Sequence, residues 1–233
     1  RRASSSGPSF AQLASGRGLG ERARDQIERD LPRTFPGSRR FDTEDGRDQL
    51  RGVLMAFAGY SPRVRYCQGL NFIAAVLLVV FSEAERAFWA LACAMERVGV
   101  EGYYTDGMPL LRADLQVLGE ALARHCPRVA RKFGESGVDL QMVCSEWFIT
   151  WFAKSLPTQT VLRVWDTLFY DGFKVLFRVS LAIFRLRQSQ ALACRGFEEL
   201  LMGAAAWPQG LVEHNELLKA SFTGLRRLRR RRL

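Results

Sequence analysis

Two side chains in this sequence could act on a phosphate. Arg33 closes the stretch Ile27-Glu28-Arg29-Asp30-Leu31-Pro32-Arg33, and Gln68 stands 35 residues later in Tyr66-Cys67-Gln68-Gly69. Neither forms a covalent intermediate and neither titrates near pH 7. A guanidinium offers a permanent charge on a planar fork of donors. A side-chain amide can accept from a water molecule and donate to a phosphate oxygen at the same time. Together they suit phosphoryl transfer to water, with the nucleotide held by a second protein. Gly16, Gly18 and Gly20 alternate, but no lysine-serine follows them, so this is no phosphate-cradling loop and the chain is not expected to bind a nucleotide by itself.

The neighbours of the pair have roles that their types allow. Asp30 lies one helical turn before Arg33 and can hold the guanidinium or bond the local backbone; the plainer alternative is an exposed ion pair of little worth. Gly69 lets the backbone pass close to a partner or take a conformation closed to other residues. Tyr66 is expected to pack the loop that carries Gln68. Asn71 interrupts an apolar run, must find a hydrogen-bond partner if buried, and is expected to steady the Gln68 loop. Cys67 has no histidine, asparagine or aspartate pattern around it that would make it a protease nucleophile.

Further along, Trp165 reads as core and Asp166 as a helix-end or network acceptor. Arg163 either pairs with Asp166 or faces a partner. Trp147, Phe148, Trp151 and Phe152 read as core. The five cysteines lack CxxC spacing and suggest free thiols in a reducing compartment, and two histidines are too few for a multi-histidine metal site. Part of the formal charge of +10 is terminal: Arg226, Arg227, Arg229, Arg230, Arg231 and Arg232 could touch anionic lipid or nucleic acid, or form a solvated end. No recognisable nucleic-acid-binding motif accompanies them.

The elements that must position these residues look helical throughout. Residues 1–19 are rich in Ser, Gly and Arg and read as loose. A helix over 20–31 should end at Pro32, which lacks an amide hydrogen. Residues 34–46 read as loop, 47–60 as helix, and 70–81 as a buried apolar helix too short to span a bilayer. Ser82 and Glu85 form a capping-box pattern that should open a helix to about Val98. One long amphipathic helix is expected over 110–132, bent or ended by Pro127 near His125. Further helices are expected over 138–156, from 161, over 173–186, 196–206 and 211–222. No strand pattern stands out and no linker or repeat divides the chain, whose 233 residues can bury a sizeable core.

Taken together these motifs resemble the TBC domain, the catalytic module of GTPase-activating proteins for Rab-type small GTPases. Ile27-x-x-Asp30-x-x-Arg33 resembles the family's arginine-finger motif and Tyr66-x-Gln68-Gly69 its glutamine-finger motif. Arg163-Val164-Trp165-Asp166, with Leu168, Phe169 and Gly172 after it, is a third match; Ser155-Leu156-Pro157 and Glu146-Trp147-Phe148 with Trp151-Phe152 also fit. The resemblance covers roughly residues 20–215. It implies an all-α, single multi-helix TBC domain over 20–222, a flexible segment over 1–19 and a basic tail over 223–233. It implies a GTPase activator acting in trans in vesicle trafficking, not an independent enzyme, with Arg33 and Gln68 as the fingers. Asp30, Tyr66, Gly69, Asn71, Arg163, Trp165 and Asp166 would support them. The partner would be a Rab-family GTPase in its GTP-bound state, holding both GTP and magnesium, so the chain needs no cofactor or metal of its own. The setting would be cytoplasmic, peripheral to endomembranes, with weak anionic-membrane contact through Arg226–Arg232 and no specific nucleic acid. A non-catalytic Rab-binding scaffold is the alternative. The family normally opens with another helical segment carrying an Arg-x-x-x-Trp-like element; here Arg1 to Gly20 contains no tryptophan, so that segment is expected to be absent or replaced and packing beneath the finger helix incomplete.

Overall fold

The computed structural model describes residues 7–224, and among them every regular element is helical. The arginine cluster Arg226–Arg232 lies outside the described residues. None of the described helices is long and apolar enough to cross a membrane. The chain divides into two compact units, one holding residues up to 96 with 100–105, the other holding 97–99 and everything from 106.

In the first unit α1 (Phe10–Ala14) is ordered, against the expectation of a loose segment. Ser9 and Gln12 cap it reciprocally. It packs on α3 (Glu44–Tyr60) where two glycines leave room: a Cβ on Gly52 would touch Phe10 and Ala14, and one on Gly59 would touch Leu13. Phe10 also stacks on Phe88, with ring centroids 5.6 Å apart. The Arg24 guanidinium donates to the Gly16 carbonyl at 2.7 Å, fixing the stretch that follows α1. Composition misled here because one short apolar face in a polar segment suffices when a small-residue surface receives it.

The helix α2 (Glu21–Asp30) ends just before Pro32, as expected. The chain then tightens into a 3₁₀ turn over Leu31–Arg33, where a proline near the start lacks only an amide that would have had no intrahelical partner. Helix α3 begins at Glu44 rather than Arg47: the Thr43 hydroxyl caps the Gly46 amide at 3.1 Å, and Gly46 is inside the first turn. Helix α4 (Leu70–Phe81) is buried on all sides from Leu70 to Leu78, as its apolar run implies. Ser82 does not open the following helix. It takes a left-handed conformation (φ 61°) that ends α4, and its carbonyl accepts from Arg40 at 3.0 Å. Helix α5 (Ala84–Val98) has its first bond from the Ala87 amide to the Glu83 carbonyl, so the capping position is one residue later than the capping-box pattern suggests.

In the second unit Pro127 ends the expected long helix and does not merely bend it, leaving α6 (Pro109–His125) and α7 (Pro127–Glu135). Pro127 cannot supply the amide that a continuous helix requires, and Cys126 leaves helical geometry at φ −138°. Helix α8 (Leu140–Ile149) also ends before its expected limit of 156, because Trp151 and Phe152 both have positive φ (49° and 64°). Helix α9 (Thr158–Asp171) follows, opening three residues before Val161, and then α10 (Lys174–Leu186), whose residues 175–184 are all buried. Phe184 on α10 meets the rings of Phe133, Trp147 and Trp207 at 5.5, 5.5 and 6.4 Å. The sequence reading missed α11 (Gln188–Ala193), which is too short to show a periodic face. Helices α12 (Phe197–Ala206) and α13 (His214–Phe222) complete the unit.

Candidate functional site

The turn that ends α2 carries Arg33 outward and Asp30 inward. Asp30 is fully buried, whereas the Arg33 side chain is 54% exposed, and the two form an ion pair across one helical turn. A buried carboxylate is tolerated only when charge and hydrogen bonds satisfy it. Arg33 supplies the charge at one oxygen. The Tyr66 hydroxyl supplies a hydrogen bond at the other, at 2.5 Å. Burial, and then the bond to Asp30, push the Tyr66 phenol well above its ordinary range. It therefore stays protonated, and stays a donor, at any physiological pH.

The glutamine loop is tied to the same turn by a second arm. The Gly69 amide donates to the Asn71 side-chain oxygen at 2.9 Å, and the Asn71 amide nitrogen donates to the Thr34 hydroxyl at 2.7 Å. Thr34 in turn donates to the Asp30 carbonyl at 2.7 Å. Thr34 and Asn71 are both buried. Gly69 holds φ 111° and ψ −34°, a combination that residues with a Cβ rarely adopt. This turn releases Gln68 to the surface immediately before α4 starts, and Gln68 is exposed. Cys67 is half-buried, and burial followed by the nearby Asp30 charge raise its thiol above the ordinary range. It is a poor thiolate at neutral pH and a poor nucleophile.

The structure thus brings Asp30, Arg33, Tyr66, Gly69 and Asn71 into one bonded set within the first unit, with Gln68 on the loop that the set anchors. Thr34 belongs to the same set and the sequence reading passed over it. A hydroxyl four residues after Asp30 was the available signal, since such a side chain can bond the carbonyl one turn back.

Arg163, Trp165 and Asp166 lie on α9 in the second unit. Trp165 is buried and donates its indole N–H to the Trp151 carbonyl at 2.9 Å, which satisfies the left-handed turn after α8. Arg163 and Asp166 pair with each other at 2.9 Å, both more than half exposed. Trp147, Phe148, Trp151 and Phe152 are all core. Among the described residues no group of histidine, cysteine and carboxylate side chains is arranged to hold a metal ion.

Comparison with known proteins assigns the chain to a family. Residues 15–192 match the Rab-GTPase-TBC domain, and the chain belongs to that family. The match opens within the segment expected to be loose, at residue 15. Human TBC1 domain family member 2A is 35% identical over 223 residues, covering 95% of this chain and 24% of the relative. Growth hormone-regulated TBC protein 6 of Caenorhabditis elegans is 42% identical over 176 residues, covering 76% of this chain and 53% of the relative. The chain therefore spans between about a quarter and a half of these relatives. Among solved structures, the Chlamydomonas flagellar RabGAP TBC domain superposes with a TM-score of 0.84 at 30% identity, covering 93% of this chain and 72% of that one. The Ypt/Rab-GAP domain of Gyp1p shares the fold, with a TM-score of 0.77 at 17% identity over 91% of this chain and 76% of that one.

Proposed function

We propose that this domain accelerates GTP hydrolysis by a Rab-family GTPase, with Arg33 and Gln68 entering the partner's nucleotide site. The observation that carries the reading is the exposed Arg33 guanidinium held by a fully buried Asp30, which also anchors the loop presenting Gln68. The Asp30 pairing limits the conformations that Arg33 must give up on binding. Arg33 keeps further N–H donors for phosphate oxygens, where negative charge grows as the terminal phosphoryl group departs. Gln68 orients the attacking water. An arginine finger supplied in trans is worth ~10³–10⁵ in rate, or roughly 4–7 kcal/mol at about 1.4 kcal/mol per decade.

Within the family, the motifs resemble those of the growth hormone-regulated TBC proteins, which the 42% identity to the worm member supports.

The test is single-turnover phosphate release from a panel of GTP-loaded Rabs. Arg33→Ala and Gln68→Ala should each lose at least about 100-fold of the acceleration, in line with the fingers' share, while circular dichroism stays native. Arg33→Lys should fare little better than alanine, because an ammonium lacks the planar fork. Full activity in both Arg33 variants would remove the finger assignment. Rab binding without acceleration by the unaltered domain would favour a scaffold.

A further inference from the structure

The two loops are joined by two bonded arms. The Tyr66–Asp30 arm ends on a carboxylate that the arginine motif already contains. The other arm depends on one hydroxyl that no motif contains. We infer that Thr34 is the positioning residue that sets the Gln68 loop against the Arg33 turn; this rests on the activator reading above.

The direction of every bond in this arm is forced. The Gly69 amide is a donor only, so the Asn71 atom facing it must be the side-chain oxygen. Asn71 therefore presents its NH₂ to Thr34, whose hydroxyl must accept it. The one remaining Thr34 hydrogen then goes to the Asp30 carbonyl, an acceptor only. Only a group that donates and accepts at once completes the arm. Asp30, Thr34 and Asn71 are at most 1% exposed, so water cannot take over any of these bonds. The arm ends on the amide of Gly69, next to Gln68, and starts on the carbonyl three residues before Arg33. A shift of Thr34 is passed directly to the backbone that carries the glutamine.

Thr34→Val removes the hydroxyl at nearly constant shape, and Thr34→Ser keeps it. Two readouts separate positioning from general stability. The first is amide hydrogen exchange at Gly69, measured by NMR on the isolated domain. It should be about tenfold faster in Thr34→Val, the size set by one broken buried hydrogen bond, and near the unaltered rate in Thr34→Ser. The second is single-turnover hydrolysis as a function of domain concentration. Thr34→Val should lower the saturating rate about tenfold or more, with the half-saturating concentration changed less than about threefold, and Thr34→Ser should restore it. In a Gln68→Ala background the Thr34→Val loss should largely vanish, since no glutamine is left to misplace. If Thr34→Val does not fold, Thr34→Cys replaces it, with a weak donor of similar size and the same expected order. Unchanged Gly69 exchange, a serine variant as impaired as valine, or undiminished losses beside Gln68→Ala would each overturn the inference. An unaltered domain that accelerates no Rab would instead sink the activator reading, and the Gly69 exchange would still decide whether Thr34 holds the loop.

Discussion

Replacing Tyr66 by phenylalanine tests the buried carboxylate, and its signature depends on pH. In the folded protein the Tyr66 hydroxyl donates to Asp30 at 2.5 Å, and Asp30 is fully buried. A hydrogen bond to a charged group contributes about 1.5–3 kcal/mol, so Tyr66→Phe should destabilise the domain by about 2 kcal/mol at pH 7, read from urea unfolding. Burial and the Asp30 charge raise the phenol pKa in the folded state. A raised folded value means that the contribution is fully present below the unfolded phenol pKa of about 10, and is lost as pH rises towards the folded value. Above pH 10 the unfolded tyrosine ionises while the folded one does not, and the unaltered protein loses about 1.4 kcal/mol per pH unit through this group. Phenylalanine cannot ionise. The gap between the two proteins should therefore shrink from about 2 kcal/mol at pH 7 to under about 1 kcal/mol at pH 11. The raised thiols of Cys126, Cys144 and Cys194, none of which acts on Tyr66, titrate in both proteins and cancel in the difference. A gap that stays constant from pH 7 to 11 would refute the raised phenol, and a gap below about 0.5 kcal/mol at pH 7 would refute the hydrogen bond's weight.

The remaining predictions concern backbone and packing. A Cβ at Gly46 would lie 1.9 Å from the Arg40 carbonyl oxygen, so Gly46→Ala should cost about 2 kcal/mol or more through forced displacement of that loop, seen as a lowered unfolding midpoint. Gly69→Ala should cost about 1–3 kcal/mol from the left-handed backbone and should reduce phosphate release by a larger factor than Gly46→Ala, because it moves Gln68 directly. Trp165→Phe strands the Trp151 carbonyl inside the second unit and should destabilise by about 1–3 kcal/mol; if its stability matches the unaltered protein, the indole bond holds nothing.

What the sequence could reveal was local, and what it hid was pairing across sequence distance. The apolar run of α4 and the helices on either side of it follow from periodicity and breakers, and the structure has them within a few residues. Boundaries moved wherever a tertiary contact outweighed a local signal. Arg40 explains Gly46, which looks like a loop residue until the carbonyl in its place is known. Ser82 has the spacing of a cap, yet ending α4 and accepting from Arg40 decided its conformation. Trp165 holds the turn that cuts α8 short, and nothing near Trp151 announces it. The same holds at the candidate site. Arg33 and Gln68 were visible by residue type, and Asp30 by its spacing of one turn. Whether Asp30 was an idle surface partner or a buried anchor depended on Tyr66, 36 residues away, and Asn71 showed only that it needed a partner. Thr34 showed nothing, because a hydroxyl after a helix end has many uses. In the folded chain its hydroxyl accepts from the glutamine loop and donates to the arginine turn, so this second link between the two fingers, beside the Tyr66–Asp30 bond, is a property of the fold and not of either motif.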